Sequence, residues 1–430
     1  MFRSPTREDT TGPRFKWSRG GVDPNRMLDT GVTPTSALGE DDRSHAAGVR
    51  TRKLFYIAGF DPRSPGYYHG LYRDHGRRQA ALAGAGLEVG PRRSQGRLLA
   101  SWTVTATYDG RTTVTDYCFL RWDDLVRGRW KQSETRLLYE IWRCLSTFAR
   151  NGVWSVLFRK GPATIVAGMF PAIVSTLYLA AMIGGTAALS FAGYRLAATL
   201  GAPGWIGALP PLLILTQLRA WWRWIDPRLG IGWLNRCFTY IMDNAKDASE
   251  AEGRCDAFAD VILQQSKDET IDEVLLVGHS QGTLHAIRTA ARVLERDPAF
   301  GRGRTRFSLL TLGQPFAVYT PLPEDAHFKR DLARVAASDA LAWLDETSPG
   351  DPVSSCAVDP LNGIPVEGRL WPVRKSPRFH LLLTKANFRR IKLKPLDFHF
   401  QYVMAGDVLG AYDYYRITAG PDFLLEAAGS

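Results

Sequence analysis

Val274-Leu275-Leu276-Val277-Gly278-His279-Ser280-Gln281-Gly282 is the stretch on which the fold turns. Its first four residues are apolar and read as a strand buried on both faces. They run directly into Gly-x-Ser-x-Gly, after which Leu284, Ile287, Ala291 and Leu294 recur at helical spacing. Glycines at 278 and 282 let the backbone pass closely on either side of the serine. The turn would expose the Ser280 hydroxyl at a helix N-terminus, where backbone N–H groups can stabilise an oxyanion. The five-residue pattern alone is common, and an ordinary glycine-rich turn is its bland reading. Its seat between a strand and a helix gives it weight.

Outward from this stretch, strands and helices alternate. Residues 54–57 form an apolar strand ending at Ala58-Gly59-Phe60-Asp61-Pro62, and a helix is expected over 71–82. Runs 102–108 and 112–120 are β-rich and separated by Asp109-Gly110, a hairpin signal. Residues 133–145 have helical periodicity with Ser133 as a cap, and 243–265 reads as one amphipathic helix. Further buried strands are expected at 307–312 and 341–345. The alternation predicts an α/β fold with a mostly parallel sheet covered by helices on both faces. Its ligand site would lie at the carboxyl ends of the strands.

The segment around Ser280 resembles the nucleophile elbow of the α/β-hydrolase superfamily, in which Gly-His-Ser-Gln-Gly occurs among lipases, esterases and thioesterases. The resemblance covers about residues 51–150 and 236–416. It implies the α/β-hydrolase fold, acyl transfer through an acyl-enzyme, no metal or organic cofactor, and the chain order serine, acid, histidine. For the acid, Asp351 lies in the turn Ser348-Pro349-Gly350-Asp351-Pro352 after strand 341–345, with Asp345 and then Asp359 as alternatives. A carboxylate there would fix the imidazole tautomer, although a turn aspartate bonding its own backbone is common. Only His380 and His399 follow Asp351. The family's histidine follows the last strand and opens the last helix, which favours His399. His380 precedes Leu381-Leu382-Leu383, which looks like a strand. His285 reads as a helix-face residue, and Asp397 as an auxiliary partner of His399 or a solvated side chain. The resemblance also implies two oxyanion-hole N–H donors: Gln281, directly after the nucleophile, and Phe60, after the early strand. Ala58 stands where the family's loop carries histidine, which leaves Asp61 as an alternative second donor.

From residue 161 to 194 no side chain is charged, and after Arg195 none is until Arg219. Such a run is long enough to span a bilayer; 202–218, with Pro210-Pro211, is a weaker span. Arg159-Lys160 and Arg219, Arg223 flank the segment, and Trp205, Trp221, Trp222 and Trp224 suit interfacial belts. Sheet strands lie on both sides of the insertion, so the chain must return to its starting side. A hairpin is expected, with its tip near 201–204. The basic flanks place the remainder in the cytoplasm, at the inner membrane. A hydrophobic cap packed on the enzyme is the competing reading, and the aromatic stretch 221–233 reads as a lid or an anchor.

The expected organisation is a disordered polar tail over 1–50, a first part of the hydrolase domain over 51–152, a hydrophobic helical insertion over 153–235, and the second part over 236–430. The 430 residues carry a net charge of +11 and are 45% hydrophobic, enough for a sizeable core. No zinc-finger or RNA-binding motif accompanies the basic balance, so nucleic acid is not expected as a partner. The five cysteines form no Cys-x-x-Cys pair and suggest neither a disulfide framework nor a metal site. The expected activity is serine hydrolysis of a carboxylic ester or thioester, lipid-like because of the membrane segment. A catalytically inactive membrane scaffold and an acyltransferase are the alternatives. Oligomeric state is left open.

Overall fold

The structure, a computed structural model, describes residues 48–130, 134–160, 162–203, 205, 209–322, 326–356 and 358–429. The polar lead-in over 1–47, the Ser133 cap and Gly204 of the hairpin tip lie outside the described residues.

Nine strands form one mixed sheet: β1 Thr51–Ile57, β2 Gly86–Val89, β3 Arg93–Gln95, β4 Leu99–Tyr108, β5 Arg111–Leu120, β6 Glu273–His279, β7 Arg306–Leu312, β8 Leu341–Glu346 and β9 Val373–Lys375. The spatial order is β2-β4-β5-β1-β6-β7-β8-β9, with β3 pairing β4. From β5 across to β9 every neighbouring pair is parallel, and β2, β3 and β5 pair antiparallel to β4. The expected hairpin is present: Asp109 and Gly110 adopt φ of 50° and 75° between β4 and β5.

The central strands are buried on both faces, as their unbroken apolar runs require. In β1, Phe55 and Ile57 enter one core while Leu54 and Tyr56 enter the other; in β6, Val274 and Leu276 oppose Leu275 and Val277. Helices cover both sides. Ser249–Gln265, Gly282–Arg296 and Ala326–Ala337 pack in the first core, and Pro65–Leu82 and Tyr414–Ala419 in the second. The α/β class with a mostly parallel sheet is thus observed.

Several expectations shift. The helix expected at 71–82 begins earlier, at Pro65, where a missing N–H costs nothing in the first turn. The single helix expected over 243–265 is two, α3 Ile231–Lys246 and α4 Ser249–Gln265, broken at an extended Asp247. To keep the order of the insertion, the helices before them are labelled α1, Pro162–Thr199, and α2, Leu209–Leu229. The expected boundary at 235/236 therefore falls inside α3. The run 381–383 is not a strand: Phe379–Leu382 forms a short helix with His380 exposed on it. A short apolar run does not by itself distinguish the two.

The insertion contrasts with this body. Within α1, Gly168–Thr199 is the one helix among the described residues that is long and apolar enough to cross a membrane, and 17% of its most apolar window is buried. Pro171 lies inside this helix, near its start. α2 packs against α1 through Tyr178 and Trp222, whose rings are 4.5 Å apart. Trp222 is therefore buried rather than exposed at an interface, whereas Trp205, Trp221 and Trp224 are exposed.

Candidate active site

Ser280 occupies the turn between β6 and the helix Gly282–Arg296, with φ of 56°. A non-glycine residue held there stores about 1–3 kcal/mol of strain, which the surroundings must hold. Its N–H donates to Leu312 O at 2.8 Å, and the Thr283 hydroxyl donates to Ser280 O at 2.6 Å. The flanking glycines are required by contact. A Cβ on Gly278 would stand 2.7 Å from Thr283 Cα, and one on Gly282 2.2 Å from Ile57 O. The end of β1 presses on the serine as well, because a Cβ on Gly59 would lie 2.8 Å from Ser280 Cβ.

The other parts arrive from neighbouring strand ends. Asp351 lies in the loop after β8, fully buried, with its N–H donating to Ser348 O at 3.0 Å. Its Oδ1 accepts from Val353 N at 3.0 Å, and its Oδ2 lies 2.7 Å from His399 Nδ1. Tyr402 steadies that loop by accepting the Ser348 N–H at 2.7 Å. His399 is buried, and its Nε2 has no hydrogen-bond partner among the described residues. Gly313, at φ 60° after β7, leaves the space the ring needs: a Cβ there would be 2.9 Å from His399 Cε1. His399 does not open the last helix as expected. It lies near the end of the short helix Pro395–Phe400.

The alternatives are engaged elsewhere. Asp345 accepts from Thr311 Oγ1 of the neighbouring β7 at 2.7 Å, and burial raises its carboxyl to about 6. Asp359 pairs with Arg369 at 2.8 Å. Asp397 is exposed, 3.7 Å from Lys394. His285 faces inward, between Tyr240 Oη at 3.1 Å and Cys255 Sγ at 3.4 Å.

Ser280 and His399 both line one cavity, together with Gly59, Phe60, Asp61 and His279. Its remaining wall is largely apolar and comes from Trp233, Leu234 and Cys237 of α3, with Val353, Leu396 and Phe400. Two indoles pin the turn after β1: Trp122 Nε1 donates to Ala58 O at 2.8 Å and Trp233 Nε1 to Phe60 O at 2.7 Å. Asp61 is held by Arg63 at 2.7 Å and by the Tyr68 hydroxyl at 2.6 Å. Gln281 anchors α3 across the cavity, its side-chain amide donating to Cys237 O at 2.6 Å. The two expected donor positions, Phe60 and Gln281, thus flank Ser280 from different elements.

His279 was not foreseen as part of the site. Its ring stacks on His399 at 4.9 Å, and its Nε2 donates to the His399 carbonyl at 3.1 Å. Burial, reinforced by the His399 charge, lowers its pKa to about 3, so it stays neutral. Its place beside the serine was the available signal, but its partner lies 120 residues away. Trp233, Leu234 and Cys237 were likewise read as part of, or next to, the insertion rather than as cavity wall.

A serine that shares a cavity with an imidazole held by a carboxylate can be deprotonated for attack on a carbonyl carbon once its hydroxyl reaches the free ring nitrogen. Among the described residues, no group of three or more His, Cys, Asp or Glu side chains is placed to hold a metal ion. No protein-family model matches the chain, and no curated protein or solved structure matches it.

Proposed function

We propose that the protein is a membrane-associated serine hydrolase of the α/β-hydrolase fold, cleaving a lipid-like carboxylic ester or thioester. The observation that carries this reading is the 2.7 Å contact of His399 Nδ1 with Asp351, with Nε2 left unpartnered in a residue that shares a cavity with Ser280. In the proposed reaction, His399 Nε2 takes the Ser280 hydroxyl proton as Oγ bonds to the carbonyl carbon. The N–H groups of Gln281 and Phe60 hold the oxyanion. The carbon–leaving-group bond then breaks, and His399 returns the proton to the departing alcohol or thiol. Water, deprotonated by His399, releases the acid and restores Ser280.

The membrane half of the proposal rests on α1, whose outward face includes Ile173, Leu177, Ile183 and Phe191. The 32 residues Gly168–Thr199 would extend about 48 Å, more than the hydrocarbon thickness of a bilayer. β1 and β6 precede and follow the insertion and are sheet neighbours, so the chain returns to the side it left. α2 is the available return leg, uncharged over 209–218. The basic ends then put the sheet on the cytoplasmic side.

The test is hydrolysis by the full chain in nanodiscs, with bilayer lipid esters compared against short water-soluble esters. Turnover of the lipid esters is expected. Cleavage of short esters alone would remove the lipid substrate class, and cleavage of neither would remove the hydrolase reading.

A further inference from the structure

Segment 376–394 is strongly one-sided in charge. It holds Arg378, Lys385, Arg389, Arg390, Lys392 and Lys394 and no acidic residue. The helix Lys385–Lys392 buries Ile391 and sets Phe388 5.9 Å from the Phe398 ring, which leaves Lys385, Arg389, Arg390 and Lys392 exposed. Arg390 bonds the Asn387 side chain and Lys394 approaches Asp397. Among the described residues, no acid pairs with Lys385, Arg389 or Lys392. Two large apolar side chains stand among these cations, Leu381 at 55% and Leu393 at 85% exposure. Packing alone gives no reason to keep a leucine so bare beside unpaired cations.

The patch is also well located. Leu396 follows it directly and lines the cavity with Ser280. The same side chain lies against Gly230, at the junction of α2 and α3, where a Cβ would meet Leu396 Cδ1 at 2.6 Å. Patch, insertion root and cavity therefore converge on one residue. A bilayer that receives the insertion brings its headgroups to this level. Exposed lysines and arginines there are attracted to anionic lipids, and bare leucines enter the interface.

We propose that segment 376–394 is a docking surface for anionic lipid headgroups, which seats the cavity mouth on negatively charged membrane. The proposal rests on the membrane association above but not on the chemistry at Ser280. It assigns part of the chain's positive charge to orienting the protein on its membrane.

The experiment uses the full chain reconstituted into vesicles, with an environment-sensitive fluorophore on Leu393→Cys and, separately, on Leu177→Cys of α1. Wild-type protein corrects for labelling of the native cysteines, of which Cys237 is half-buried and the others are buried. The Leu177 probe should report hydrocarbon in every vesicle. The Leu393 probe should shift to an apolar environment with phosphatidylglycerol present and not with phosphatidylcholine alone, and high salt should reverse the shift. Changing Lys385, Arg389 and Lys392 together to Gln should weaken this docking equilibrium about a hundredfold. If the Leu393 probe stays in water beside both lipids while the Leu177 probe is buried, the docking surface falls and the membrane reading stands. If the Leu177 probe also stays in water, both fall. A Leu393 response to polyglutamate but not to anionic vesicles would assign the patch to an acidic protein and overturn the lipid assignment.

Discussion

Glycine has opposite meanings in the two regions of this molecule. Around the cavity, Gly59, Gly278 and Gly282 lie where a Cβ would strike a neighbour at 2.2–2.8 Å. In α1, Gly184 and Gly185 have nothing within 4 Å. Near the cavity the small residues are set by contact, whereas the middle of α1 is an apolar rod whose outer face meets no protein among the described residues. Charge divides the same way. The body buries Arg52 against Glu273 at 2.7 Å, whereas α1 carries a lone Arg195. Buried charge is tolerated where partners are supplied, and a surface without partners avoids charge. The body buries its apolar residues against one another, whereas α1 leaves much of its apolar surface without protein against it among the described residues.

The largest expected effect lies in the body. His399→Ala and Asp351→Asn should each lower kcat for ester hydrolysis by about 10⁴-fold or more. Arg195→Gln in the insertion should leave kcat within about twofold, since an exposed site remote from the cavity has no part in the chemistry. Steady-state kinetics in nanodiscs would break the comparison if both regions responded alike. Next comes the glycine contrast itself. Gly282→Ala should destabilise the fold by about 3 kcal/mol, because the new methyl meets backbone oxygens that cannot yield. Gly184→Ala should be neutral or stabilising by up to about 1 kcal/mol, the helix-propensity gain. Denaturant unfolding in detergent reads both.

A third contrast uses one substitution in two places. Leu177→Lys, at a side chain 66% exposed, should hardly alter a soluble protein, but should cost about 3 kcal/mol for a segment within a bilayer. Resistance to carbonate extraction should fall. Leu276→Lys in β6 should prevent folding in any solvent, because that position is fully buried. The last contrast is in pH dependence and belongs to the body. Burial raises Glu346 from 4.5 to about 8, so between these values the native state holds a proton that the unfolded chain has lost. Stability from this group is complete below 4.5 and declines as pH rises to about 8, by at most about 1.4 kcal/mol per unit. His279 and His285, lowered to about 3, act oppositely: the unfolded chain binds their protons first, so stability is lost as pH falls below 6.5. Glu346→Gln should flatten the decline in melting temperature between pH 4.5 and about 8, and His279→Phe should lessen the loss below pH 6.5.

The parts legible in the sequence were those set by local pattern. The run from Val274 to Gly282 carries strand, turn and helix in consecutive residues, and Asp109-Gly110 marks its hairpin by dihedral preference alone. Asp351 and His399 could be singled out because the resemblance implies an acid in a loop after a late strand and a histidine beyond it, and only His380 and His399 follow Asp351. The structure brings those two side chains together at 2.7 Å. What escaped was set by distant packing. The short edge strands β2, β3 and β9 are too brief to show alternation. The break between α3 and α4 occurs within a continuous helical pattern. Trp233 ends an aromatic stretch that reads in sequence as a lid or an anchor, yet its indole reaches back to Phe60, 173 residues earlier. His279 is a partner of His399 only once the sheet is assembled.

The central claim is an activated serine in a protein that resides in a membrane. Labelling with a fluorophosphonate probe tests it most directly, wild type beside Ser280→Ala, in membrane and soluble fractions. The account predicts labelling of the wild type in the membrane fraction and none of the variant. A folded wild type that resists the probe, or equal labelling of both proteins, would contradict it.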